Sequence, residues 1–383
     1  MKKIAFIIES LQCGGAEKSL VTLLQNIDCE TYNIDLIVNI DNSAFQKFVP
    51  KNVNINVINI YSEVNPLTMF YLRLLFKIRK TLNKKNKHHI AQLHWKTFGK
   101  QIKKLDKVYD IAVAYNQGFA TYYTAEKVKA DKKFAWLNID YQKAGYNIKF
   151  DLNKYQVFNT VVTVSDECNE SFVSELKKIN HTIKTTVIKD ITDVDIVNKL
   201  SSEHQGLIPN DNLINICSVG RLAEQKGWHL AIEALEILIK KGRNIKWYII
   251  GEGPKRNELE RLIEKKQLKN NLILLGYKEN PYPYIKSCNI YVQTSLFEGL
   301  GLTVIEAAIL NKPIVTTNFP TAYTIINNEK TGLICDMNSN SIAKAIETYI
   351  ENKEFTDFIV NNLSIKENTD KEDSLEKISL LLN

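Results

Sequence analysis

The chain alternates short, mainly apolar runs, a few of them broken by a polar residue (Asp35, Thr163, Asn215, Ser218), with longer stretches whose apolar positions recur every three or four residues. Residues 4–8, 34–38, 111–114, 134–137 and 161–164 form one series of runs. Residues 213–219, 247–250, 272–275, 290–292 and 314–315 form a second. Runs this short, apolar at successive rather than alternate positions, read as strands covered on both faces, as in a parallel sheet. Between them, notably at 228–240, 256–265 and 341–350, the periodicity predicts amphipathic helices. Strand and helix alternating along both halves predict an α/β protein of two doubly wound lobes. The polar stretch between Asp190 and Asn212, with Gly206 and Pro209 near its end, separates the two series. The expected partition is therefore 1–190, a linker at 191–210, a second domain at 211–365, and a closing amphipathic helix within 366–383. No internal repeat or low-complexity tract interrupts this plan.

Composition narrows the class. At 383 residues, 44% hydrophobic and 24% charged, the chain suits two globular domains better than one core. No run approaches the roughly 20 apolar residues that span a bilayer. The first apolar run ends at Glu9, too early for a secretory signal, so no export is expected. Cys13, Cys29, Cys168, Cys217, Cys288 and Cys335 show no C-x-x-C spacing and no neighbouring His, which speaks against zinc and against a disulfide framework, and points to a reducing cytoplasm.

The net charge of +7 is unevenly placed. Between Arg73 and Lys107 stand twelve Lys or Arg and one acid, Asp106, following the apolar residues 67–76. A basic amphipathic helix pair about 65–107 would lie against an anionic membrane surface, or form a plainly solvated insertion. No nucleic-acid-binding motif accompanies it, and no nucleic acid is expected as partner.

Four corners carry candidate chemistry, each at the end of a predicted strand, where open α/β sheets bind ligands. The first is Ser10-Leu-Gln-Cys13-Gly14-Gly15-Ala16-Glu17, opening a helix that runs to about Leu24. Two glycines there admit a ligand close to the backbone, and the helix start offers free N–H groups to an anion. The spacing is neither G-x-G-x-x-G nor a P-loop, and Gly-Gly also serves a simple tight turn. The second, Val219-Gly220-Arg221-Leu222 followed by Lys226-Gly227, sets two cations on one loop, as a diphosphate would require, although isolated loop cations are commonly solvated. The third is Gly251-Glu252-Gly253-Pro254. The fourth, from Ser295 to Ala308, holds Glu298 on a glycine-broken loop (Gly299, Gly301) and Glu306 inside the helix that begins at Leu302 and Thr303. Read alone, these carboxylates are a ligand clamp or ordinary solvated loop and helix acids.

Taken together, Gly14-Gly15-Ala16-Glu17, Ser218-Val-Gly220-Arg221 with Lys226-Gly227, Gly251-Glu-Gly253-Pro254 and Glu298-x7-Glu306 resemble the retaining glycosyltransferases of family 4, over nearly the whole chain. These have the GT-B fold, two Rossmann-like domains facing across a cleft. The stretch Phe134-Ala-Trp136-Leu-Asn138-Ile-Asp140-Tyr141, followed by Val162-Thr-Val-Ser165, is similar to the subgroup that builds bacterial capsular, cell-wall and other surface polysaccharides.

The resemblance implies roles. Arg221 and Lys226, on the Gly220 loop, would hold the donor diphosphate, approached also by Gly14 and Gly15 and by backbone N–H groups of Leu302 and Thr303 after Gly301. Glu306 would bind the ribose, Glu298 the transferred sugar, and the Gly251 to Gly253 loop would lie near the base. It further implies a nucleotide sugar, UDP-linked, as donor substrate, no other cofactor and no metal, and a lipid-linked or polymeric glycan acceptor held by the N-terminal lobe at the inner face of the membrane. The departing phosphate oxygen would take the acceptor's proton, so Glu298 positions rather than attacks.

One position departs from the family. Many members carry a catalytic His where Asn138 stands, and an amide cannot carry its charge or proton. That leaves open a silent nucleotide-sugar-binding subunit, and, further off, an epimerase or hydrolase of the same fold. Asp193-Val-Asp195 has a metal-binding form but falls in the expected linker, and is read as coincidence.

Overall fold

A computed structural model describes residues 1–12, 14–28, 31–40, 45–83, 87–204, 206–207, 213–365 and 370–383. The chain divides into two compact units, Met1–Ile191 with Glu372–Asn383, and Thr192–Lys371.

The first unit is built on strands β1 (Lys2–Ile7), β2 (Tyr32–Val38), β3 (Asn54–Val57), β4 (Val108–Ala114), β5 (Lys129–Leu137), β6 (Thr160–Thr163) and β7 (Thr185–Val187). They pair in parallel in the order β3-β2-β1-β4-β5-β6-β7, so the winding reverses between β1 and β4. Ile7 is in register with both Ile37 and Ala114, which brings the ends of β1, β2 and β4 to one edge.

The second unit carries β8 (Ile214–Val219), β9 (Ile245–Ile250), β10 (Leu272–Gly276), β11 (Ile290–Gln293), β12 (Ile314–Thr317) and β13 (Leu333–Cys335). Their order is β10-β9-β8-β11-β12-β13, again parallel, with the reversal between β8 and β11. Successive side chains of a strand point to opposite faces. Ile216 and Val292 accordingly join Trp228, Leu235, Trp247 and Ile346 in the core on one face, and Cys217 and Tyr291 join Val304 and Phe319 on the other. The expected α/β class, with two Rossmann-like doubly wound units, is what the chain adopts.

The strands with no apolar run, β3 and β7, are the two edges of the first sheet. An edge strand is covered on fewer sides, so Asn54-Ile-Asn-Val57 and Thr185-Thr-Val187 need no continuous apolar sequence. The helices Trp228–Lys240 and Arg256–Lys265 have the predicted bounds, and Ser339–Glu351, capped by the Asn338 side chain, contains the third.

The linker needs correction. Within 191–210 the chain forms the helix Val194–Leu200, which belongs to the second unit. Its one inward face buries Val197, which shares a core with Leu207, Leu310 and Ile314. Asp193 is the helix cap, accepting from the Ile196 N–H at 3.1 Å and pairing with Lys371 at 2.5 Å, which gives the Asp193-Val-Asp195 sequence a structural reason. Pro209 and the other residues of 208–212, like Cys13 and Cys29, lie outside the described residues. The last helix, Asp370–Leu382, returns the chain to the first unit: Lys2 Nζ donates to the Leu382 and Asn383 carbonyls, and Tyr32 donates to the Asn383 side chain. Residues 366–369, at the expected start of that helix, are outside the described set.

Candidate functional site

In the second unit the winding reversal brings the loops after β8 and β11 side by side. The β8 loop is first tied to the β9 loop: Gly220 N–H donates to the Ile250 carbonyl and Leu222 N–H to that of Glu252, both at 2.9 Å. A Cβ on Gly251 would lie 2.1 Å from the Gly220 carbonyl oxygen, and one on Gly253 2.4 Å from that of Leu222. These two glycines therefore have a reason inside the chain, the close approach of two backbones.

The β8 loop is next held to the β11 loop. Thr294 Oγ1 donates to the Lys226 carbonyl (2.9 Å), Leu296 N–H to that of Gln225 (2.8 Å), and Gln225 Nε2 to that of Phe297 (2.9 Å). Gly227, left-handed at φ 61°, makes this contact feasible, since a Cβ there would stand 2.1 Å from the Thr294 carbonyl oxygen.

The result is an ion pair between residues far apart in sequence. Lys226 Nζ lies 2.6 Å from Glu298 Oε1, both side chains being largely withdrawn from solvent. The same Oε1 accepts from Ser295 Oγ at 2.5 Å and Gln293 Nε2 at 3.0 Å, and Gln293 is itself fixed by a hydrogen bond from the Tyr291 hydroxyl. Three donors thus converge on one carboxylate oxygen, while Oε2 has a longer 3.5 Å contact with Gln225. Such charge-assisted bonds fix a carboxylate's orientation. Gln225, Gln293 and Ser295 were missed from sequence; the available signal was Gln293, a polar side chain closing an apolar run and almost fully buried.

Arg221 sits on the same loop, anchored through its carbonyl by Trp228 Nε1 at 3.0 Å. Its side chain is exposed and has no ion-pair partner among the described residues. After the β11 loop, Gly301 (φ 86°) caps the helix Leu302–Ile309, whose first N–H groups, those of Leu302 and Thr303, have no acceptor within the helix. Glu306, one turn on, is buried with Tyr282 OH at 3.4 Å from its Oε1. The structure therefore gathers Gly220, Arg221, Lys226, Glu298, Gly301, Leu302 and Thr303 around the β8–β11 reversal, with Glu306 beneath them.

The first unit holds the remaining predicted residues. Gly14 precedes and Gly15 begins the helix Gly15–Asn26 at the end of β1. Gly14 is extended, a conformation open to any residue, and the group nearest its missing side chain is the flexible Glu17 carboxylate. On this helix Ser19 donates to Asp190 Oδ1 at 2.5 Å and lies 3.0 Å from the Tyr115 hydroxyl. Asp190 is buried, and loss of hydration pushes its carboxyl up to about 6 despite the hydrogen bond from Ser19. Asn138 follows β5, its N–H donating to Gln117 Oε1 at 3.1 Å. Its side-chain Nδ2 and Oδ1 are both shielded from solvent without a hydrogen-bond partner among the described residues, as is Asn116 Oδ1 on the loop after β4. A buried amide left unpaired by protein is costly. A separate cavity of about 520 Å³, lined by Lys87, Tyr146, Lys149 and Lys178 among others, contains none of the predicted residues.

Two parallel sheets of Rossmann type define the GT-B class of fold, and comparison with known proteins agrees. Residues 201–366, within the second unit, match the family described as "Glycosyl transferases group 1". It is 32% identical over 207 residues to an uncharacterized glycosyltransferase of Methanocaldococcus jannaschii, covering 51% of this chain and 50% of that protein. It is 30% identical over 199 residues to the poly(ribitol-phosphate) alpha-N-acetylglucosaminyltransferase of Staphylococcus aureus, covering 48% and 40%. The matched stretch thus spans half or less of these curated relatives. Among solved structures, Anabaena HepE in complex with UDP and glucose superposes over 100% of this chain and 99% of its own with a TM-score of 0.72, at 17% identity, a likeness of fold.

Proposed function

We propose that the protein is a retaining, metal-independent glycosyltransferase. It moves a hexose or N-acetylhexosamine from a UDP-sugar to a lipid-linked or polymeric glycan acceptor in surface-polysaccharide or cell-wall glycan synthesis, working at the inner face of a membrane. The observation that carries this reading is Glu298 held by Lys226, Ser295 and Gln293 through Oε1, with Oε2 meeting only the longer Gln225 contact among the described residues. Oε2 is then presented to a sugar hydroxyl, and its orientation does not have to be found during the reaction. The exposed Arg221 guanidinium, Lys226 and the N–H groups of Leu302 and Thr303 supply the positive charge that a departing diphosphate needs as the glycosidic bond breaks. The acceptor hydroxyl gives its proton to the phosphate oxygen it displaces. The Staphylococcus aureus relative, named for transfer of N-acetylglucosamine to a polymer, and the Anabaena structure, which holds UDP and glucose, support the donor and acceptor classes.

A second reading, a silent nucleotide-sugar-binding subunit, rests on Asn138. Release of UDP or GDP from a panel of nucleotide sugars separates the two, with the anomeric configuration of the product read by NMR. Turnover of one UDP-sugar with retention is expected. Binding of UDP without turnover of any sugar, with or without membrane extract, would overturn the enzyme reading.

A further inference from the structure

The helices Pro66–Leu82 and Ile90–Phe98 form the basic segment of the first unit. The first is held by one face only: Leu72 is buried, Phe76 stacks edge-on to His94 at 5.7 Å and meets Phe98 at 5.8 Å, and Arg79 donates to the Lys96 carbonyl and Thr97 Oγ1. The opposite face is apolar and turned to solvent. Leu67, Phe70, Tyr71, Leu74, Ile78 and Leu82, spaced three or four residues apart, are between 46% and 84% exposed. This is a continuous stripe along one side of a helix, of the kind that marks an interaction surface.

Charge selects its occupant. Arg73, Lys77 and Lys80, at i, i+4 and i+7, line one border of the stripe and are exposed, and no Asp or Glu occurs anywhere from Val64 to Leu105. A second copy of the same helix would set these cations against each other. A bilayer bearing anionic phospholipid satisfies both parts: acyl chains take the stripe, and lipid phosphates take the cations. At 17 residues the helix is about 25 Å long, and among the described residues no helix is long and apolar enough to cross a membrane, so it would lie in the plane of the surface.

We propose that Pro66–Leu82 is a membrane-docking helix, inserting Leu67, Phe70, Tyr71, Leu74, Ile78 and Leu82 into the interface of an anionic bilayer while Arg73, Lys77 and Lys80 bind its phosphates. This deepens the membrane-face part of the proposed function and is independent of the transfer chemistry. Turnover without vesicle binding, or vesicle binding without turnover, tells the failure of one from the failure of the other.

The test uses the full chain with vesicles of phosphatidylcholine, with and without phosphatidylglycerol. Sedimentation with the anionic vesicles is expected, and the triple variant Phe70→Glu, Leu74→Glu, Ile78→Glu should bind about tenfold more weakly or worse. Its melting temperature should be unchanged, because these side chains touch solvent. Leu74→Trp should shift its added fluorescence to the blue on binding and be quenched by lipids brominated in the acyl chain. Three results would overturn the proposal: no binding to anionic vesicles, binding with neither blue shift nor sensitivity to the triple variant, or a wild-type dimer that the triple variant dissociates, which would assign the stripe to a second copy.

Discussion

Asp190 offers a sharp test of how the first unit is held together. Among the described residues its side chain accepts a hydrogen bond from Ser19, and it is buried. An aspartate ordinarily titrates near 3.8, whereas Asp190 titrates near 6 because burial disfavours its charge. The folded-state value is raised, so this group's favourable contribution is complete below the unfolded value and is lost as pH climbs through the folded one. At about 1.4 kcal/mol per pKa unit, the ionised carboxylate costs the folded state about 3 kcal/mol at neutral pH. Asp190→Asn keeps the shape and the acceptor for Ser19 but removes the charge. The hydrogen bond from Ser19 is already contained in that value, so the variant should be more stable by about 3 kcal/mol near pH 7.5. For a unit of this size that is roughly 6–12 °C in Tm. Near pH 4, where Asp190 itself is protonated in the folded state, the advantage should vanish. Calorimetry of the two full-length proteins across this range provides the measurement; Asp151, also pushed to about 6 by burial, titrates in both and cancels. A stability difference that stays constant from acid to neutral pH would refute the reasoning.

Further outcomes follow from the β8–β11 loops. Glu298→Ala should lower kcat by about 10²-fold with little change in donor affinity, whereas Glu306→Ala should weaken donor binding, seen by titration with UDP; equal, negligible effects would refute the donor-clamp roles of both. Gly227→Ala must accept a left-handed backbone and a Cβ 2.1 Å from the Thr294 carbonyl oxygen. A loss of about 2–3 kcal/mol in denaturant unfolding is expected, and wild-type stability would show that the two loops are not held as described.

The central strands were legible because they are covered on both faces and so carry mainly apolar runs, unbroken in Ile4–Ile7 or Trp247–Ile250. The edge strands β3 and β7 were not, since Asn54-Ile-Asn-Val57 is largely exposed and reads as loop, whereas the edge strand β10 kept its apolar run and was read. The helix Val194–Leu200 was hidden for a related reason: it buries a single face, and composition over the polar stretch outweighed it. At the site, glycine and charge marked the right corners. What lay beyond local pattern was the pairing of Lys226 with Glu298 across 72 positions, and the role of Gln293 and Ser295 in orienting that carboxylate. Such contacts depend on which strands become neighbours, which periodicity does not encode.

The return of residues 372–383 to the first unit has a consequence for synthesis. All seven strands of the first sheet have been made by Val187, yet the residues that clasp Lys2 and Tyr32 emerge only after the entire second unit. The first unit must therefore wait, incomplete, through the making of the second. Removing the last dozen residues would injure the amino-terminal sheet rather than the region to which they are joined in sequence, whereas 192–371 could be expressed alone with its own sheet whole.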